Sequence, residues 1–215
     1  MYKAIIFDLD GTLLDTSRDI CIVLNDALYS FNCSQISLQK TIEYVGNGAK
    51  KLIERAVPPG FDKTQELYEY YRVKFAACDN RHTVLYPGED EFLRTIKRDG
   101  VRTAILTNKP NDAAQGVYKS LLSAYNFDIV LGQTPRFPLK PDPSAVNYII
   151  EELGVAKSEC LFVGDGETDV ATAANAGIDC ASVLWGFRTR QQLSAAGAKI
   201  FASNYGELLK IVQSL

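Results

Sequence analysis

Short apolar runs that alternate with helical patterns constrain the fold of this chain more than any other feature of its sequence. Ala4 to Phe7 form a continuous apolar run, which is typical of a strand covered on both faces. Similar runs recur later in the chain, at 101–108, 127–132, 159–166 and 179–186. Helical patterns lie between them, several of which end on a glycine. This alternation predicts an α/β protein, in which a parallel sheet carries helices on both faces.

Residues 14–83 interrupt the alternation, because this segment contains no strand-like run. Apolar residues at helical spacing predict four helices there, at 17–31, 37–45, 48–57 and 62–77, with Ser17 as the cap of the first. An insertion after the first strand lies at the carboxyl end of that strand, where open α/β sheets bind ligands. We therefore expect a core formed by 1–13 and 84–215, and a helical cap domain formed by 14–83.

Charge and cysteine content exclude several classes of partner. The chain has 23 Lys and Arg residues and 26 Asp and Glu residues, which gives a net charge of −3. It therefore lacks the excess of basic residues that is typical of proteins that bind nucleic acid. No apolar stretch approaches the ~18 residues of a membrane span, so we expect no membrane partner. The five cysteines are an odd number without C-x-x-C spacing, which favours free thiols in a reducing compartment. We expect a cytoplasmic protein.

A single histidine, His82, limits the chemistry further. It rules out a metal site built from several histidines, and it lies in a polar segment that is typical of an exposed loop. Acid–base chemistry near neutral pH is therefore expected to use carboxylates whose pKa values are tuned by their surroundings.

Two such carboxylates follow the first predicted strand. Residues two apart on an extended chain face the same side, so Asp8 and Asp10 can converge on one ligand. Gly11 then permits a sharp turn. A pair of carboxylates this close is costly unless a cation or a proton relieves the repulsion. An acidic turn without function is the competing interpretation of this stretch alone.

Three further stretches place polar groups just beyond predicted strands. Thr107 and Asn108 could hold phosphate oxygens, or could cap the following helix. Lys140, followed by two prolines in 140–143, could present a fixed positive charge or remain a solvated loop lysine. Asp165 and Asp169 could supply oxygen ligands to Mg²⁺, or Asp169 could cap a helix.

The order, strand context and spacing of these stretches together resemble the haloacid dehalogenase-like hydrolase superfamily, over the whole chain. The matching motifs are DLDGT at 8–12, Thr107, Lys140 and the acidic GDGETD at 164–169. Within the superfamily the chain most resembles the phosphoglycolate phosphatase-like branch, through VGNGA at 45–49, YPG at 86–88, TNKP at 107–110, KPDP at 140–143 and WGF at 185–187. The resemblance implies a Rossmann-like core with a small helical cap of the C1 type.

The resemblance also implies roles for individual residues. Asp8 would attack phosphorus and form an aspartyl-phosphate, and Asp10 would protonate the leaving group and then deprotonate water. Thr107 and Lys140 would stabilise the phosphoryl oxygens.

A magnesium ion is implied as the cofactor. Its ligands would be Asp8, the backbone carbonyl of Asp10, and Asp165, with Asp169 as a further ligand or in the outer shell of the site. The metal would cancel the repulsion between these acids and the incoming phosphate.

The expected substrate is a small phosphorylated metabolite, for which phosphoglycolate is the leading candidate. The turn at Gly46 and Asn47 precedes a helix and could contact an anionic substrate together with Lys50 and Asn108, or could simply join two helices. Pyrophosphate, a sugar phosphate handled by a phosphatase or mutase, and a non-enzymatic binding module remain as alternatives. We expect a monomer or a weak homodimer, and hinges near 14–17 and 80–84.

Some positions depart from the family pattern. Gly166 stands where many relatives have serine, Arg18 where they have a small residue, and Asp142 where the branch often has histidine. Asp10 disfavours a dehalogenase, because dehalogenases lack the second aspartate. Trp185 and Phe187 are expected to pack at the core or its rim.

Overall fold

The computed structural model describes residues 1–214, and its strands follow the predicted alternation. They are β1 (Ala4–Phe7), β2 (Leu14–Asp15), β3 (Val84–Leu85), β4 (Arg102–Pro110), β5 (Ile129–Gln133), β6 (Cys160–Gly164), β7 (Asp179–Val183) and β8 (Ile200–Ala202). Within the described residues, six of these form a parallel sheet in the order β5-β4-β1-β6-β7-β8. The first strand is therefore central, with β4 on one side and β6 on the other.

Helices cover both faces of this sheet, as the sequence predicts for an α/β fold. The helices are α1 (Ser17–Ser30), α2 (Leu38–Tyr44), α3 (Ala49–Ala56), α4 (Thr64–Ala76), α5 (Glu89–Arg98), α6 (Asn111–Val117), α7 (Ser144–Leu153), α8 (Glu167–Ala176), α9 (Arg190–Ala195) and α10 (Tyr205–Gln213). None of the helices within 1–214 has the length and hydropathy needed to cross a bilayer.

The alternating side chains of β1 divide between two apolar layers. Ile5 and Phe7 pack into a cluster with residues of α5, α6 and α10, and Ala4 and Ile6 into a cluster with residues of α7 and α8. All four are fully buried, which explains why this strand is apolar without interruption. Its carboxyl end, and therefore Asp8, is fixed in the middle of the sheet.

The four helices α1 to α4 share a third apolar cluster, to which Ala113 of α6 also contributes. Leu24, Leu28, Ile53 and Leu67 are buried in it, and each fully buried side chain of this kind contributes about 1.5–3 kcal/mol. The chain enters and leaves this helical unit through a short antiparallel pairing of β2 with β3, in which Leu14 lies opposite Leu85.

The helix expected over 111–125 is regular only to Val117. A π-helical turn follows at Tyr118–Leu122, and then a 3₁₀ turn at Ser123–Tyr125. Val117 and Leu122 are both buried in the same cluster although they are five residues apart. The wider π turn allows both side chains to face the core, which a straight α-helix would not.

The prediction that Ser17 caps α1 is wrong. Ser17 lies in the first turn, and its hydroxyl donates to Asp15 Oδ1 at 2.6 Å. The capping position belongs to Thr16, whose hydroxyl donates to Asp10 Oδ1 at 2.6 Å instead of accepting from the helix. A carboxylate is the stronger acceptor for a hydroxyl, so the helix loses a cap and Asp10 gains a hydrogen bond.

A buried acid, Glu89, begins α5 beside the aromatic rings of Phe92 and Tyr205. One carboxyl oxygen, Oε2, accepts from the backbone N–H of Tyr86 at 3.1 Å, and the other has no hydrogen bond within residues 1–214. Burial raises the pKa of Glu89 to about 9. The carboxyl group is therefore protonated in the folded protein at neutral pH.

We expect this acid to make stability fall with rising pH. The unfolded chain ionises Glu89 near 4.5 and the folded chain only near 9, so folding takes up a proton between these values. Glu89→Gln keeps the shape and neutrality, and should raise the free energy of unfolding at pH 8 by about 1–3 kcal/mol more than at pH 5.5. Urea unfolding at both pH values measures this difference.

Glu91→Gln is the matched control, because Glu91 is an exposed acid on the same helix. It should change the free energy of unfolding by the same small amount at both pH values. An equal effect of Glu89→Gln at pH 5.5 and pH 8 would show that Glu89 is not protonated in the folded protein.

Candidate active site

Asp8 and Asp10 follow the buried end of β1 and line one cavity. The Asp8 backbone N–H donates to the Val163 carbonyl at 2.9 Å, which extends the pairing of β1 with β6 by one residue. The next turn is tight because Gly11 has φ +86°, in the left-handed region. A Cβ atom on Gly11 would lie 2.4 Å from a carboxylate oxygen of Asp165, so only glycine fits between the two acidic motifs.

Asp10 is held by two residues to which the sequence patterns assign no role. Its Oδ1 accepts from the Thr16 hydroxyl at 2.6 Å and from Lys109 Nζ at 2.7 Å. Lys109 also lies 4.3 Å from the centre of the Phe75 ring, which belongs to α4 of the helical unit. The motif at 107–110 contains this lysine, but only the folded chain shows that it crosses to the carboxylate 99 positions away.

Lys140 is the cation beside Asp8. Its Nζ lies 2.9 Å from Asp8 Oδ1 and 2.7 Å from Asp169 Oδ1, and its side chain is only 3% exposed. Burial alone would lower the pKa of Lys140, but the charges of Asp169 and Asp8 outweigh it and raise the pKa above its ordinary value. The ammonium group is therefore permanently charged at neutral pH.

Asn108 fixes the backbone that carries this lysine. Its Oδ1 accepts from the Lys140 N–H at 2.8 Å, and its Nδ2 donates to the Lys140 carbonyl at 3.1 Å. Thr107 Oγ1 accepts from the Lys109 N–H at 3.2 Å, and both Thr107 and Asn108 line the cavity. The carboxyl end of β4 thus positions both lysines.

Asp165 follows β6 and is held by N–H and O–H donors. Its Oδ1 accepts from the Thr12 hydroxyl at 3.1 Å, and its Oδ2 accepts from the Phe187 N–H at 2.6 Å. A Cβ atom on Gly186 would lie 2.3 Å from Asp165 Cβ, so this glycine is needed for the approach. Trp185 packs against Tyr205 at 4.6 Å between ring centres, which confirms its expected packing role.

Asp169 has both oxygens engaged. Oδ1 faces Lys140 Nζ, and Oδ2 accepts from the Gly166 N–H at 3.0 Å. A Cβ atom on Gly164 would lie 2.4 Å from the Asp169 carboxylate, which accounts for the glycine at the end of β6.

One oxygen from each of Asp8, Asp165 and Asp169 lies within 4.8 Å of the others, so the three carboxylates could share one cation. Asp8 Oδ1 is shielded from solvent and accepts no well-directed hydrogen bond from the described residues, although the Lys140 ion pair lies nearby. Such an oxygen-only donor set suits a hard divalent cation. The residues present therefore fit a metal site of this kind.

The raised pKa values of two of these acids also indicate that a cation would stabilise their ionised forms. Burial, together with the charge of Asp169, raises the pKa of Asp8 to about 7 although Lys140 lowers it. Burial and the charges of Asp169 and Asp8 raise the pKa of Asp165 to about 8. Both acids would be ionised more readily with a cation between them.

The cavity above these groups has a volume of about 70 Å³. Core residues form its floor, and the helical unit forms its roof with Gly46, Asn47, Leu52 and Phe75 among others. Asn47 Nδ2 donates to Thr168 Oγ1 at 3.1 Å across the interface. Lys50, which the sequence placed with Asn47, is exposed and is not among the described residues that line the cavity.

These groups provide the parts for nucleophilic displacement at an anionic centre. Two neighbouring carboxylates, Asp8 and Asp10, and a set of acids that fits a cation line one small cavity, and the buried Lys140 ammonium lies 2.9 Å from Asp8 Oδ1. The single histidine, His82, contributes its backbone N–H to Asp19 at 3.1 Å, outside this cavity.

Comparison with known proteins identifies relatives that match nearly the whole chain. The sequence profile described as haloacid dehalogenase-like hydrolase matches residues 5–183. A phosphoglycolate phosphatase of Vibrio parahaemolyticus is 33% identical, covering 98% of this chain and 96% of the relative. A phosphoglycolate phosphatase of Colwellia psychrerythraea is 30% identical, covering 96% and 95%.

Solved structures share the fold. A protein of Lactobacillus delbrueckii subsp. bulgaricus, provisionally identified as a phosphoglycolate phosphatase, superposes with a TM-score of 0.92. It is 27% identical, and the match covers 98% of both chains.

Proposed function

The chain belongs to the haloacid dehalogenase-like hydrolase family, and we propose that it is a Mg²⁺-dependent phosphatase of small phosphate monoesters, with phosphoglycolate as the leading substrate. The observation that carries this proposal is the meeting of Asp8, Asp10 and Asp165 at the carboxyl ends of the neighbouring strands β1 and β6, with Lys140 Nζ 2.9 Å from Asp8 Oδ1. Curated relatives of nearly full length are phosphoglycolate phosphatases, which supports the choice of substrate.

In this mechanism a carboxylate oxygen of Asp8 attacks phosphorus, and the bond from phosphorus to the leaving oxygen breaks. Asp10 gives its proton to that oxygen, so the product leaves as an alcohol and Asp8 carries the phosphoryl group. The ionised Asp10 then takes a proton from water, whose oxygen attacks phosphorus. The bond between phosphorus and the Asp8 oxygen breaks, which releases inorganic phosphate and the Asp8 carboxylate. Both acids return to their starting state.

Lys140 and Thr107 would stabilise the phosphoryl oxygens while charge moves across them. The ammonium group of Lys140 is already fixed 2.9 Å from Asp8 Oδ1, so it needs no rearrangement during the reaction. Asn108 acts on this step through Lys140, since it holds the lysine backbone on both its N–H and its carbonyl.

We assign the metal to Asp8, Asp165 and the backbone carbonyl of Asp10. When bound, Mg²⁺ would neutralise the acids and polarise a phosphoryl oxygen. Asp169 completes the cluster, but its Oδ1 is paired at 2.7 Å with the charged ammonium of Lys140, whereas both oxygens of Asp165 accept only from neutral donors. We therefore place Asp169 outside the direct ligands, as the residue that anchors Lys140.

Residues 14–83 would act as a cap over the core formed by 1–13 and 84–215, moving on hinges near 14–17 and 80–84. The cavity of about 70 Å³ between the cap and the core favours a small substrate. Gly46 and Asn47 line that cavity and would contact the substrate, together with Asn108, whereas exposed Lys50 contributes at most a long-range charge. The free thiols support a reducing, cytoplasmic setting.

Phosphate release from a panel of monoesters tests the proposed function. With Mg²⁺ present, phosphoglycolate should give the highest kcat/KM, ahead of sugar phosphates, nucleotides and pyrophosphate. Removal of the metal with EDTA should reduce the rate at least about 100-fold, because the acids are left without their cation, and added Mg²⁺ should restore it.

The substrate panel distinguishes a wrong substrate from a wrong reaction. A higher kcat/KM for pyrophosphate or a sugar phosphate would replace phosphoglycolate as the substrate but keep the reaction. No release from any member of the panel, by protein that is folded and loaded with Mg²⁺, would refute the phosphatase assignment.

A further inference from the structure

Arg188 joins the core to the helical unit beside the cavity. It follows β7, and its guanidinium group crosses to α2, where Nη1 donates to the Ile42 carbonyl at 2.9 Å. Nη2 donates to the Val45 carbonyl at 2.6 Å and lies 3.5 Å from the Glu43 carbonyl. A single core side chain thus holds the last turn of one helix of the cap.

The backbone carbonyls that bind Arg188 need a hydrogen-bond donor from outside their helix. The last four carbonyls of a helix lack partners within the helix and carry the negative end of its dipole. The planar guanidinium can reach several of these carbonyls at once, which a lysine ammonium could not do. The Arg188 side chain is only 10% exposed, so water weakens these bonds little.

The other end of Arg188 is fixed to the loop that carries the metal-site acids. Nε donates to Glu167 Oε2 at 3.0 Å, two residues after Asp165. The preceding residue, Phe187, gives its N–H to Asp165 Oδ2 at 2.6 Å. Residues 187–188 therefore contact the acidic cluster on one side and the cap on the other.

The other polar contacts between the core and the cap are longer, are single hydrogen bonds, or are exposed to solvent. Asn108 Nδ2 lies 3.4 Å from the Gly46 carbonyl, and Asn47 donates once to Thr168. Arg72 and Asp112 form an exposed ion pair at 3.3 Å, of a kind that adds little to stability. Among these contacts of the described residues, only those of Arg188 combine several bonds with shielding from water.

We propose that Arg188 is the positioning residue that keeps the cap closed over the cavity. This inference rests on the proposed function, since closure matters for turnover only if the cavity binds a substrate. Four hydrogen bonds, to Glu167 and to the carbonyls of Ile42, Glu43 and Val45, engage its N–H groups, so Arg188, although it lines the cavity, acts on the position of the cap and not on the substrate.

Arg188→Ala should open the cap and weaken substrate binding more than chemistry. The apparent affinity falls in proportion to the fraction of molecules that are closed, so we expect KM to rise about 10-fold and kcat to change less than about 3-fold. Arg188→Lys, which can reach fewer carbonyls, should lie between Ala and Arg. Arg190→Ala is the control, because Arg190 stacks on Phe201 of the core at 4.2 Å.

Hydrogen exchange without substrate gives a readout that does not depend on activity. Arg188→Ala should speed exchange at least about fivefold on both sides of the interface, in segments 45–49 and 107–110, while β1 keeps its protection. Lys40→Ala is the matched variant. Lys40 donates to Glu43 Oε2 at 2.9 Å on the same helix and within the cap, so its loss should affect α2 without exposing 107–110.

The outcomes are distinct. Arg188→Ala with unchanged KM and unchanged exchange at 107–110 would overturn the proposal, as would Arg188→Lys with both properties of the wild type. If Arg188→Ala does not fold, Glu167→Ala removes the acceptor of the Nε hydrogen bond and should shift KM and exchange in the same direction. A protein without phosphatase activity whose interface still opens in Arg188→Ala would refute the function but support the closing role.

Discussion

Asp8→Asn should reduce kcat for phosphate release by about 10⁴-fold or more, because an amide oxygen is a poor nucleophile and does not form a stable acyl phosphate. Asp8 is the first residue beyond β1 and faces Lys140, so no other carboxylate can take its place without moving the strand end. Steady-state phosphate release measures the loss.

Acid quench of a reaction with ³²P-labelled substrate gives a second measurement. Wild-type protein should retain protein-bound phosphate that hydroxylamine removes, and Asp8→Asn should retain none. Burial of the Asp8 carboxylate is costly, as its raised pKa of about 7 shows, so the variant should be at least as stable as the wild type above pH 7 without metal. Loss of activity cannot then be attributed to unfolding.

Mass spectrometry controls for deamidation of the introduced asparagine, which would regenerate the wild-type aspartate. Asp62→Asn is the matched substitution, because Asp62 is an exposed acid of the cap. Asp62→Asn should keep the wild-type rate. Pure Asp8→Asn that still turned over at the wild-type rate would remove Asp8 from the mechanism and, with it, the phosphatase chemistry proposed above.

The sheet and its acidic edge could be predicted because they depend on local patterns. A continuous apolar run predicts a buried strand, and a polar residue directly after it lies at the carboxyl end of the sheet. Such patterns are sufficient to place Asp8 and Asp165 and to assign the α/β class. They require no knowledge of which strands are neighbours.

The remaining site residues depend on contacts that form only when the chain folds. Lys109 and Thr16 reach Asp10 only after β4 lies beside β1 and the chain turns into α1. Arg188 gains its partners in α2 only when the cap lies on the core. No spacing in the sequence indicates these contacts, because the residues are joined by packing and not by periodicity.

Glu89 illustrates a different failure of sequence reasoning. An acid in the first turn of a helix is typical of an exposed position that interacts with the helix dipole. Here Phe92, in the first turn of α5, packs on Tyr205 of α10 at 5.1 Å between ring centres, so Glu89 beside it is buried and protonated. Helical periodicity predicts the face that Phe92, Leu93 and Ile96 form, but not how far that face extends toward the helix end.

Lys140→Met should lower the free energy of unfolding more than any of the other substitutions. Lys140 is the buried cation between Asp8 and Asp169, and removal of one partner from a buried ion pair costs about 3–5 kcal/mol. We expect this loss in urea unfolding at pH 8 without metal. Loss of a preorganised charge beside the phosphoryl group should also reduce kcat by about 10²–10³-fold.

The loss of stability should depend on pH and on metal. The pKa of Asp8 is already about 7 with Lys140 present and should rise when the lysine is gone, so Asp8 can take up a proton as the pH falls. Protonation removes the unpaired charge, and the effect of Lys140→Met should therefore be smaller at pH 5.5 than at pH 8. Saturating Mg²⁺ should restore part of the stability at pH 8, because it binds the folded state.

The double variant Lys140→Met/Asp169→Asn separates the cost of an unpaired charge from the loss of the lysine itself. Asp169 keeps its bond from the Gly166 N–H as asparagine, but no longer carries a charge. The double variant should regain much of the stability that Lys140→Met loses, while its kcat stays low. Lys3→Met is the control, since Lys3 pairs with Glu159 at the surface and should matter little.

A double variant that is less stable than Lys140→Met would show that Asp169 supports the fold independently of the lysine. Asp169 would then be held by its bond from the Gly166 N–H and not by the charge of Lys140. Recovery of stability without recovery of turnover would instead assign the charge of Lys140 two tasks. It balances Asp8 and Asp169 in the resting protein, and it meets the phosphoryl oxygens during the reaction.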